Sequence, residues 1–493
     1  MPIIIAPAYV TEKTPDANNP HIGYQTWVRD RSAVDITASS ETASGPKDAP
    51  LRPDTSEFWQ GNALPAEWVI DLGQPRPVDY IGLAGHTIGS SGKVAFLKLP
   101  GASGNYASTP DAAPLDIVGD IDLRAQVALD DWTPVASQEV ISKSLTTGNQ
   151  RGYRLLVLST GALQLQWSAD GTAVISKDST VSVGFADGLR KWIRATLDVD
   201  NGAAGNDVKF YTSDDGETWT QLGATVTTAG VTSIFSNTSP LELGATEGGT
   251  VFPLAGKIYA AQVYSGIAGT LVFNANFKKQ LNGTESFFEL SSNAAVVTVN
   301  QSGDPKAEIT SQPTVLKVEH SPDNSVWTQF ASDLAPADDT PIMLLDASIS
   351  RRYWKITFTG AGDVPALAIV YIGSMLVNQH PVYGGHGPAV LARDTRLYQN
   401  MSDGGQFLGQ YIRRQGVVGS VDLKRLTAAR VRSSFDPFVK SARKFPFFFA
   451  WRPVDYPLEV AFVWTKDNIQ PTNMGIRDLM QTQLSFRGIG YAD

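Results

Sequence analysis

One stretch of the chain, "TVLKVEHSPDNSVWTQF" at 314–330, most constrains the fold. Apolar and polar residues alternate up to the "SPDN" turn at 321–324 and alternate again as far as Phe330. Alternation with a period of two is typical of a strand with one buried face, so the stretch predicts a β-hairpin. A lone hairpin is at best marginally stable in water, so its partner strands must come from elsewhere in the chain.

The composition favours many such strands. Gly (44) and Pro (29) are both frequent among the 493 residues, which is typical of short strands joined by tight turns. No run of 18 apolar residues is present, so no membrane span is expected. The start, "MPIIIAPAYV", lacks the basic segment of a signal peptide. The absence of cysteine excludes disulfides, thiolate metal sites and cysteine nucleophiles.

Charge is unevenly distributed along the chain. The net charge is −9, yet residues 378–493 contain 15 Lys and Arg against 9 Asp and Glu. That region therefore carries a surplus of +6, and the first 377 residues carry −15. Such asymmetry indicates two regions with different neighbours. The basic surplus forms no dense tract with interleaved aromatic residues, so nucleic acid is not an expected partner.

Candidate partner strands for the hairpin lie on both sides of it. Far upstream, "WVIDLG" at 68–73 predicts a strand that ends at a Gly turn, and "VDYIGLAG" at 78–85 predicts an apolar strand. Downstream, "RRYWKITFTG" at 351–360 and "PALAIVYIGSM" at 365–375 predict two more. The hairpin is therefore interpreted as the second half of a domain whose first half lies much earlier.

The order of these pieces, with "DITASSE" at 35–41 and "FW" at 58–59, resembles a discoidin-like (galactose-binding-like) β-sandwich. The resemblance covers 35–92 and 312–377. It implies a sandwich that is interrupted by an insertion at 93–311, which surface loop tips tolerate.

The inserted region has a complete strand pattern of its own, with turn residues between the strands. This succession resembles a laminin-G-like or concanavalin-like jelly roll. The strands are predicted in "DIDLRAQVAL" at 120–129, "GYRLLVLSTGALQLQWSADG" at 152–171, "KWIRATLDVD" at 191–200, "DVKFYTSDDGETWTQL" at 207–222 and "GKIYAAQVYSG" at 256–266.

The region 378–493 has a different pattern. The segment 419–438 predicts a helix that Ser420 caps and Pro437 stops. Two aromatic strands within 444–467 and a closing alternating strand follow. This order resembles the tube-like domains of phage tail and distal-tail proteins.

The expected fold class is therefore mainly β. It consists of a discoidin-like sandwich with an inserted jelly-roll sandwich, and a C-terminal β-rich tail-tube-like domain with one helix. Residues 1–34 are expected to form an N-terminal arm.

Few residues support a catalytic site. The five histidines form no HxH or HExxH motif, so a local metal signature is missing. Adjacent aspartates do not make an acid/base pair, because neighbours on a strand point to opposite faces. The sequence therefore predicts no enzyme and no cofactor, with calcium as an alternative that suits oxygen ligands. The calcium candidates are Asp122, Asp198, Asp200 and Asp207.

Tryptophans give the candidate carbohydrate-binding residues, because flat side chains can stack on sugars. Trp59, Trp132 and Trp167 lie beside predicted loops of the two sandwiches. The alternative is that these residues fill the sandwich interiors, where Trp buries well.

The aromatic run near 447 gives the candidate assembly interface. In a strand, Phe447 and Phe449 share one face and Phe448 occupies the other. One face can enter the domain's own core, and the second needs cover from another copy or from the flanking helix. Trp451 and Arg452 complete this candidate interface.

As a whole, the chain resembles a tail-tip or baseplate protein of a tailed bacteriophage, of the distal-tail or minor-tail type. The resemblance implies a structural virion protein that is made in the host cytoplasm. It would assemble as a hexameric or trimeric ring beside tail tube, hub and tape measure proteins, and its modules would bind a host-surface glycan. Two alternatives remain: a tail polysaccharide depolymerase or glycosidase, which needs a carboxylate pair in a cleft, and a bacterial surface adhesin, which needs an export signal.

Overall fold

The computed structural model describes residues 15–382, 384–388, 391–475 and 478–490. The chain divides into two compact units. Unit 1 comprises Met1–Ser91, Pro313–Gly360 and Val364–Asp493, and unit 2 comprises Gly92–Gln312 and Ala361–Asp363. The main segment of unit 2 differs from the expected insertion by one residue at each end.

Short strands dominate both units, because alternating β-branched and aromatic residues are interrupted every few residues by Gly, Pro, Asn or Asp. The expectation of a mainly β protein is confirmed. The first strands are β1 His21–Gly23, β2 Ile36–Ala38 and β3 Ala66–His86. The strands of unit 2 are β4 Ala95–Pro100, β5 Tyr106–Thr109, β6 Ile121–Leu129, β7 Gln138–Leu145, β8 Gln150–Val157, β9 Leu163–Trp167, β10 Ile175–Asp178, β11 Lys191–Asp198, β12 Gly205–Ser213, β13 Thr220–Gln221, β14 Val226–Ala229, β15 Leu241–Leu243, β16 Ala255–Ser265, β17 Thr270–Asn276, β18 Ser286–Phe288, β19 Val296–Asn300 and β20 Glu308–Ser311.

The remaining strands belong to unit 1, as do most of the helical segments. The strands are β21 Val315–Ser321, β22 Thr328–Gln329, β23 Ile342–Thr359, β24 Leu367–Gly373, β25 Leu376–Val377, β26 Arg396–Met401, β27 Phe407–Arg414, β28 Val417–Thr427, β29 Phe447–Ala450, β30 Val460–Thr465, β31 Thr472–Asn473 and β32 Leu479–Ile489. The helices are α1 Ile88–Ser91, α2 Ala428–Arg430 and α3 Asp436–Ala442, with a π-helical turn at Val431–Phe435 and 3-10 turns at Val28–Asp30, Ala33–Asp35, Ala49–Leu51, Ala113–Leu115 and Phe277–Lys279.

Unit 2 is a β-sandwich, and all its residues are described. Its eight-stranded sheet has the order β10-β9-β8-β7-β15-β5-β19-β18. Its nine-stranded sheet has the order β13-β12-β11-β6-β16-β4-β20, with β14 beside β12 and β17 beside β16. Residues from both sheets, such as Leu123 and Leu155, share one buried core. Because alternate residues of a strand point to opposite faces, Asp122 and Arg124 lie on the outer face of the nine-stranded sheet.

Unit 1 contains the partner strands of the 314–330 hairpin. Over the described residues, its first sheet has six strands in the order β2-β3-β23-β21-β22, with β24 beside β3. β21 pairs with β23, and β23 pairs with β3, so that Trp354 lies opposite Ile70. The two sequence halves on either side of unit 2 therefore form one sheet.

The second sheet of unit 1 contains seven strands among the described residues, in the order β25-β1-β29-β30-β32-β28, with β31 beside β32. β1 pairs with β29, and His21 lies opposite Ala450. The described part of the expected N-terminal arm thus contributes a strand to the C-terminal sheet. Residues 1–14 of that arm lie outside the described residues.

The helix expected at 419–438 begins later than the sequence indicates. β28 occupies Val417–Thr427 and pairs with β32. The helical segments α2, the π-helical turn and α3 together form one 15-residue helix at 428–442. The Thr427 side chain accepts a hydrogen bond from the Arg430 backbone N–H, so Thr427 is the cap rather than Ser420. Pro437 lies inside the helix and does not end it.

Buried aromatic residues link this helix to the C-terminal sheet. The Phe438 and Phe447 rings meet edge to face, with centroids 5.0 Å apart. Among the described residues, no helix combines the length and apolar content that a membrane crossing needs.

Candidate functional site

The three tryptophans proposed for sugar stacking are core residues. Trp59, Trp132 and Trp167 are each at most 2% exposed. Each indole N–H donates to an oxygen of the same chain at 3.0–3.3 Å. A fully covered ring offers no face to a ligand, so the structure corrects their assignment to sugar binding. Packing of the sandwich interiors explains these residues instead.

The aromatic strand proposed for assembly is also buried within the chain. Phe447 and Phe449 belong to the core beneath the helix, and Phe448 packs on the opposite side against Tyr371. The expected alternation of faces is therefore present, but both faces have cover. The structure corrects the assignment of these three phenylalanines to an interface.

Trp451 and Arg452 remain at the surface, in the turn that joins β29 to β30. The Trp451 ring stacks on the Tyr456 ring with centroids 5.5 Å apart. The Trp451 indole N–H donates to Glu459, and Arg452 forms an ion pair with Asp455. This turn, 451–459, keeps its shape through these contacts and remains a candidate interface.

A second surface feature of unit 1 lies in β26 and β27, which pair only with each other among the described residues. Leu397 lies opposite Ile412 on one face of this hairpin, and Tyr398 lies opposite Tyr411 on the other. Apolar residues therefore occupy both faces. Their exposed fractions lie between 45% and 62%, and they are Leu397, Tyr398, Met401, Phe407, Leu408, Tyr411 and Ile412.

The turn 451–459 adds a different apolar surface to the same unit. Val454, Tyr456 and Leu458 are exposed, and Leu458 borders a cavity of about 390 Å³. Most of the residues that line this cavity are apolar; they include Leu334, Pro336, Ile342, Met343, Leu344 and Pro457. Unit 1 therefore has both a projecting apolar hairpin and a concave apolar surface.

Unit 2 has a charged cluster on the outer face of its nine-stranded sheet. The Asp122 carboxylate is buried and accepts hydrogen bonds from both Arg124 and Arg194 at 2.7–3.1 Å. Each guanidinium uses its Nε and one Nη2 proton. The Ala268 backbone N–H also donates to Asp122 at 3.0 Å. Burial opposes ionisation of Asp122, but the two arginines outweigh it and lower the pKa of the carboxyl.

Three partly exposed aromatic rings surround the two guanidinium groups. The Tyr264 ring centroid lies 4.2 Å from Cζ of Arg124, and the Tyr211 centroid lies 4.8 Å from Cζ of Arg194. The Trp219 ring lies near both guanidinium groups, and its centroid is 5.5 Å from Cζ of Arg124 and 5.4 Å from Cζ of Arg194. Contacts of this kind are typical of cation–π stacking.

Trp219 reaches this face from the "SDDGETW" turn at 213–219. The Asp215 carboxylate accepts from the backbone N–H groups of Glu217 and Thr218, which lower its pKa. The turns that begin at Ser168 and Ser321 have the same Ser-x-Asp hydrogen bonds. The turn itself is structural, and the Trp219 ring at its end packs beside the two arginines.

The four aspartates named as calcium candidates are engaged in other contacts. Both Asp122 oxygens bind arginine, and Asp207 accepts from Asn201 and Thr227. Asp198 and Asp200 accept backbone N–H groups within their own turn. Within the described ranges, no group of three or more His, Cys, Asp or Glu side chains is placed to hold a metal ion.

Among the comparisons with known proteins, only the comparison with solved structures finds similar proteins. No protein-family model matches the sequence, and no curated protein matches it. The carbohydrate-binding module CBM40 of the Ruminococcus gnavus IT-sialidase, bound to α2,3-sialyllactose, is similar at 17% identity, over 34% of this chain and 92% of that one, with a TM-score of 0.27. The LG4-5 domains of the mouse laminin α1 chain are similar at 11% identity, over 58% and 81%, with a TM-score of 0.26. A pentraxin from Limulus polyphemus is similar at 12% identity, over 35% and 77%, with a TM-score of 0.25. At these scores the likeness establishes neither a family nor an activity.

Proposed function

We propose that this chain is a non-enzymatic structural protein of a bacteriophage tail tip, which forms a closed ring with copies of itself and displays sandwich modules that bind a host-surface glycan. In the virion it would adjoin other tail proteins. The observation that supports ring assembly is the exposed hairpin β26–β27. The phage context rests on the sequence resemblance.

The hairpin has the properties of an unpaired contact element. A two-stranded hairpin has little stability of its own in water, and here neither face has cover among the described residues. Contiguous exposed apolar surface on a soluble protein usually marks an interaction site. We therefore assign the hairpin to a protein–protein contact.

The partner that we propose is a second copy of the same chain. A closed ring uses head-to-tail contacts, in which two different surfaces of one chain meet on neighbouring copies. Unit 1 offers two such surfaces, namely the convex hairpin and the concave turn 451–459 with its adjoining cavity. Phe407 and Leu408, at the start of β27, are the proposed insertion residues.

Light scattering on the purified full chain tests this proposal. The wild type should form a discrete oligomer, and Phe407→Asp or Leu458→Asp should yield monomers. Asn400→Asp is the matched control, because it adds the same charge to the hairpin without removing apolar surface. A mixture of the two variants should form dimers only. The intact hairpin of the Leu458→Asp chain can bind the intact concave surface of the Phe407→Asp chain, but the two remaining surfaces of that pair are both disrupted. A wild-type chain that stays monomeric, or a mixture that stays monomeric, overturns self-assembly through these surfaces.

A further inference from the structure

We propose that the outer face of the nine-stranded sheet binds a glycan that carries carboxylate groups. Arg124 and Arg194 would contact a carboxylate, and Trp219 and Tyr264 would contact the sugar rings. This inference deepens the glycan-binding part of the proposed function and rests on it. It does not depend on ring assembly.

The charges of the cluster favour an anionic ligand. Two guanidinium groups share the single Asp122 carboxylate, so one positive charge is left over at this position. Neither Nη1 group has a hydrogen-bond partner among the described residues, and the side chains of Arg124 and Arg194 are 13% and 11% exposed. Guanidinium N–H groups match the planar geometry of a carboxylate, so these donors suit a uronate or similar acidic sugar.

The position of the two arginines is fixed before any ligand arrives. Asp122 holds each guanidinium by two hydrogen bonds, and the rings of Tyr211, Trp219 and Tyr264 pack beside them. Little side-chain freedom is therefore lost on binding. One arginine is enough to neutralise the charge of Asp122. The presence of a second arginine at the same carboxylate is therefore not explained by charge balance.

Polar side chains extend the cluster along the sheet. One cross-strand row runs Tyr211, Arg194, Arg124, Gln262 and Asn274 over five adjacent strands. Four inter-strand spacings give this row a length of about 19 Å. The amides of Gln262 and Asn274 can hydrogen-bond sugar hydroxyls, so the row fits an oligosaccharide rather than a single sugar.

Calorimetric titration of the Phe407→Asp chain, which we expect to be monomeric, tests this inference without avidity from a ring. The ligands are three carboxylated glycans, namely a galacturonate hexasaccharide, an alginate hexasaccharide and sialyllactose, with maltohexaose as the neutral control. We expect at least one carboxylated glycan to bind and maltohexaose not to bind. Arg124→Gln should weaken binding about 10-fold or more, because a charge-assisted hydrogen bond is lost. Tyr264→Ala should weaken it about 2- to 10-fold, because one stacking ring is lost.

Controls separate a binding role from a structural one. Lys98→Gln removes an exposed cation from the same sheet and should leave affinity unchanged. Arg124→Lys retains the charge and should restore part of the affinity, and thermal unfolding should show that each variant is folded. The inference is overturned if none of the carboxylated glycans binds, if maltohexaose binds equally well, or if folded Arg124→Gln and Tyr264→Ala chains bind as the wild type does. If no carboxylated glycan binds but the wild-type chain still forms a discrete oligomer, the glycan-binding inference is wrong and the proposal of ring assembly is unaffected.

Discussion

The ring of Phe448 packs edge-on against the ring of Tyr371, with centroids 5.4 Å apart and planes at 73°. Phe448 belongs to the seven-stranded sheet, and Tyr371 belongs to the six-stranded sheet. Phe448 also lies over Gly82, where an added Cβ would come within 2.5 Å of its ring. One aromatic side chain thus joins the two sheets of unit 1 into a common core.

This contact predicts a large loss of stability for Phe448→Ala. Removing a fully buried phenylalanine should lower the free energy of unfolding by about 3–5 kcal/mol. Val326→Ala, which shortens an exposed side chain of the same unit outside the proposed contact surfaces, should change it by about 0.5 kcal/mol or less. Chemical denaturation of both variants measures the difference. Equal effects would show that Phe448 does not occupy a shared core.

A second prediction concerns the buried carboxyl of Glu242 in unit 2. Burial is the main cause that raises the pKa of this carboxyl to about 7, and the nearby carboxyl groups of Glu139 and Glu247 raise it further. The hydrogen bond from the Gly248 backbone N–H acts in the opposite direction and lowers the pKa. An unfolded chain would release this proton near its ordinary pKa of 4.5. The folded state therefore binds the proton more tightly, and stability falls as pH rises from about 4.5 to about 7.

Denaturation of Glu242→Gln across this pH range tests the assignment. The variant has no proton to release, so the decline in stability of unit 2 should be smaller than in the wild type. Glu308→Gln, at a half-exposed position, is the control and should keep the wild-type slope. An unchanged slope in Glu242→Gln would rule out Glu242 as a source of the pH dependence.

The sequence predicted strands well where alternation is uninterrupted. The 314–330 hairpin is an example, because local periodicity alone determines which residues face the core. The segment 419–427 is a strand where the sequence predicts a helix, because a register shift separates Leu423 from Leu426, with Arg425 at φ 63°. The irregularity leaves Leu423 and Leu426 at helical spacing.

The candidate sites were harder to predict, because they depend on contacts between distant segments. Arg124 and Arg194 become neighbours only through the pairing of β6 with β11. The burial of Trp59 depends on Phe358, which stacks on it from nearly 300 residues away. Alternation assigns a residue to one of two faces, but it does not tell which face another layer covers. For that reason the sequence left open whether another copy or the flanking helix covers the second face of the aromatic strand, and it did not indicate the β26–β27 hairpin.

A third prediction follows from the pairing of β3 with β23. All partners of these two strands lie outside 93–311, so replacing 93–311 by a short Gly/Ser linker should leave a folded remainder. Near-ultraviolet circular dichroism and a cooperative unfolding transition of the shortened chain provide the measurement. A remainder without fixed tertiary structure would mean that unit 1 needs unit 2 to fold.

The last prediction concerns Lys143, whose buried ammonium group is surrounded by a cage of oxygen atoms. Nζ lies 2.6 Å from Asp111 Oδ1 and 3.3 Å from Asp116 Oδ1. It donates to the backbone carbonyls of Asn237 and Ser239 at 2.7 Å and 3.0 Å. Carboxylates and backbone carbonyls are also the ligands that calcium prefers. The lysine therefore supplies the positive charge that a cation would otherwise bring.

Lys143→Ala should lower the free energy of unfolding by about 1–3 kcal/mol, because the buried carbonyls of Asn237 and Ser239 lose their donor and the two partly exposed carboxylates lose their cation. Millimolar calcium should restore part of this loss, since an ion that binds only the folded chain stabilises it. Thermal unfolding with and without calcium measures the effect. Lys143→Met fills the space with an apolar side chain and should not respond, and neither should the wild type. If Lys143→Ala gains no stability from calcium while folding normally, the cage is specific for an ammonium group and cannot contract around a metal ion.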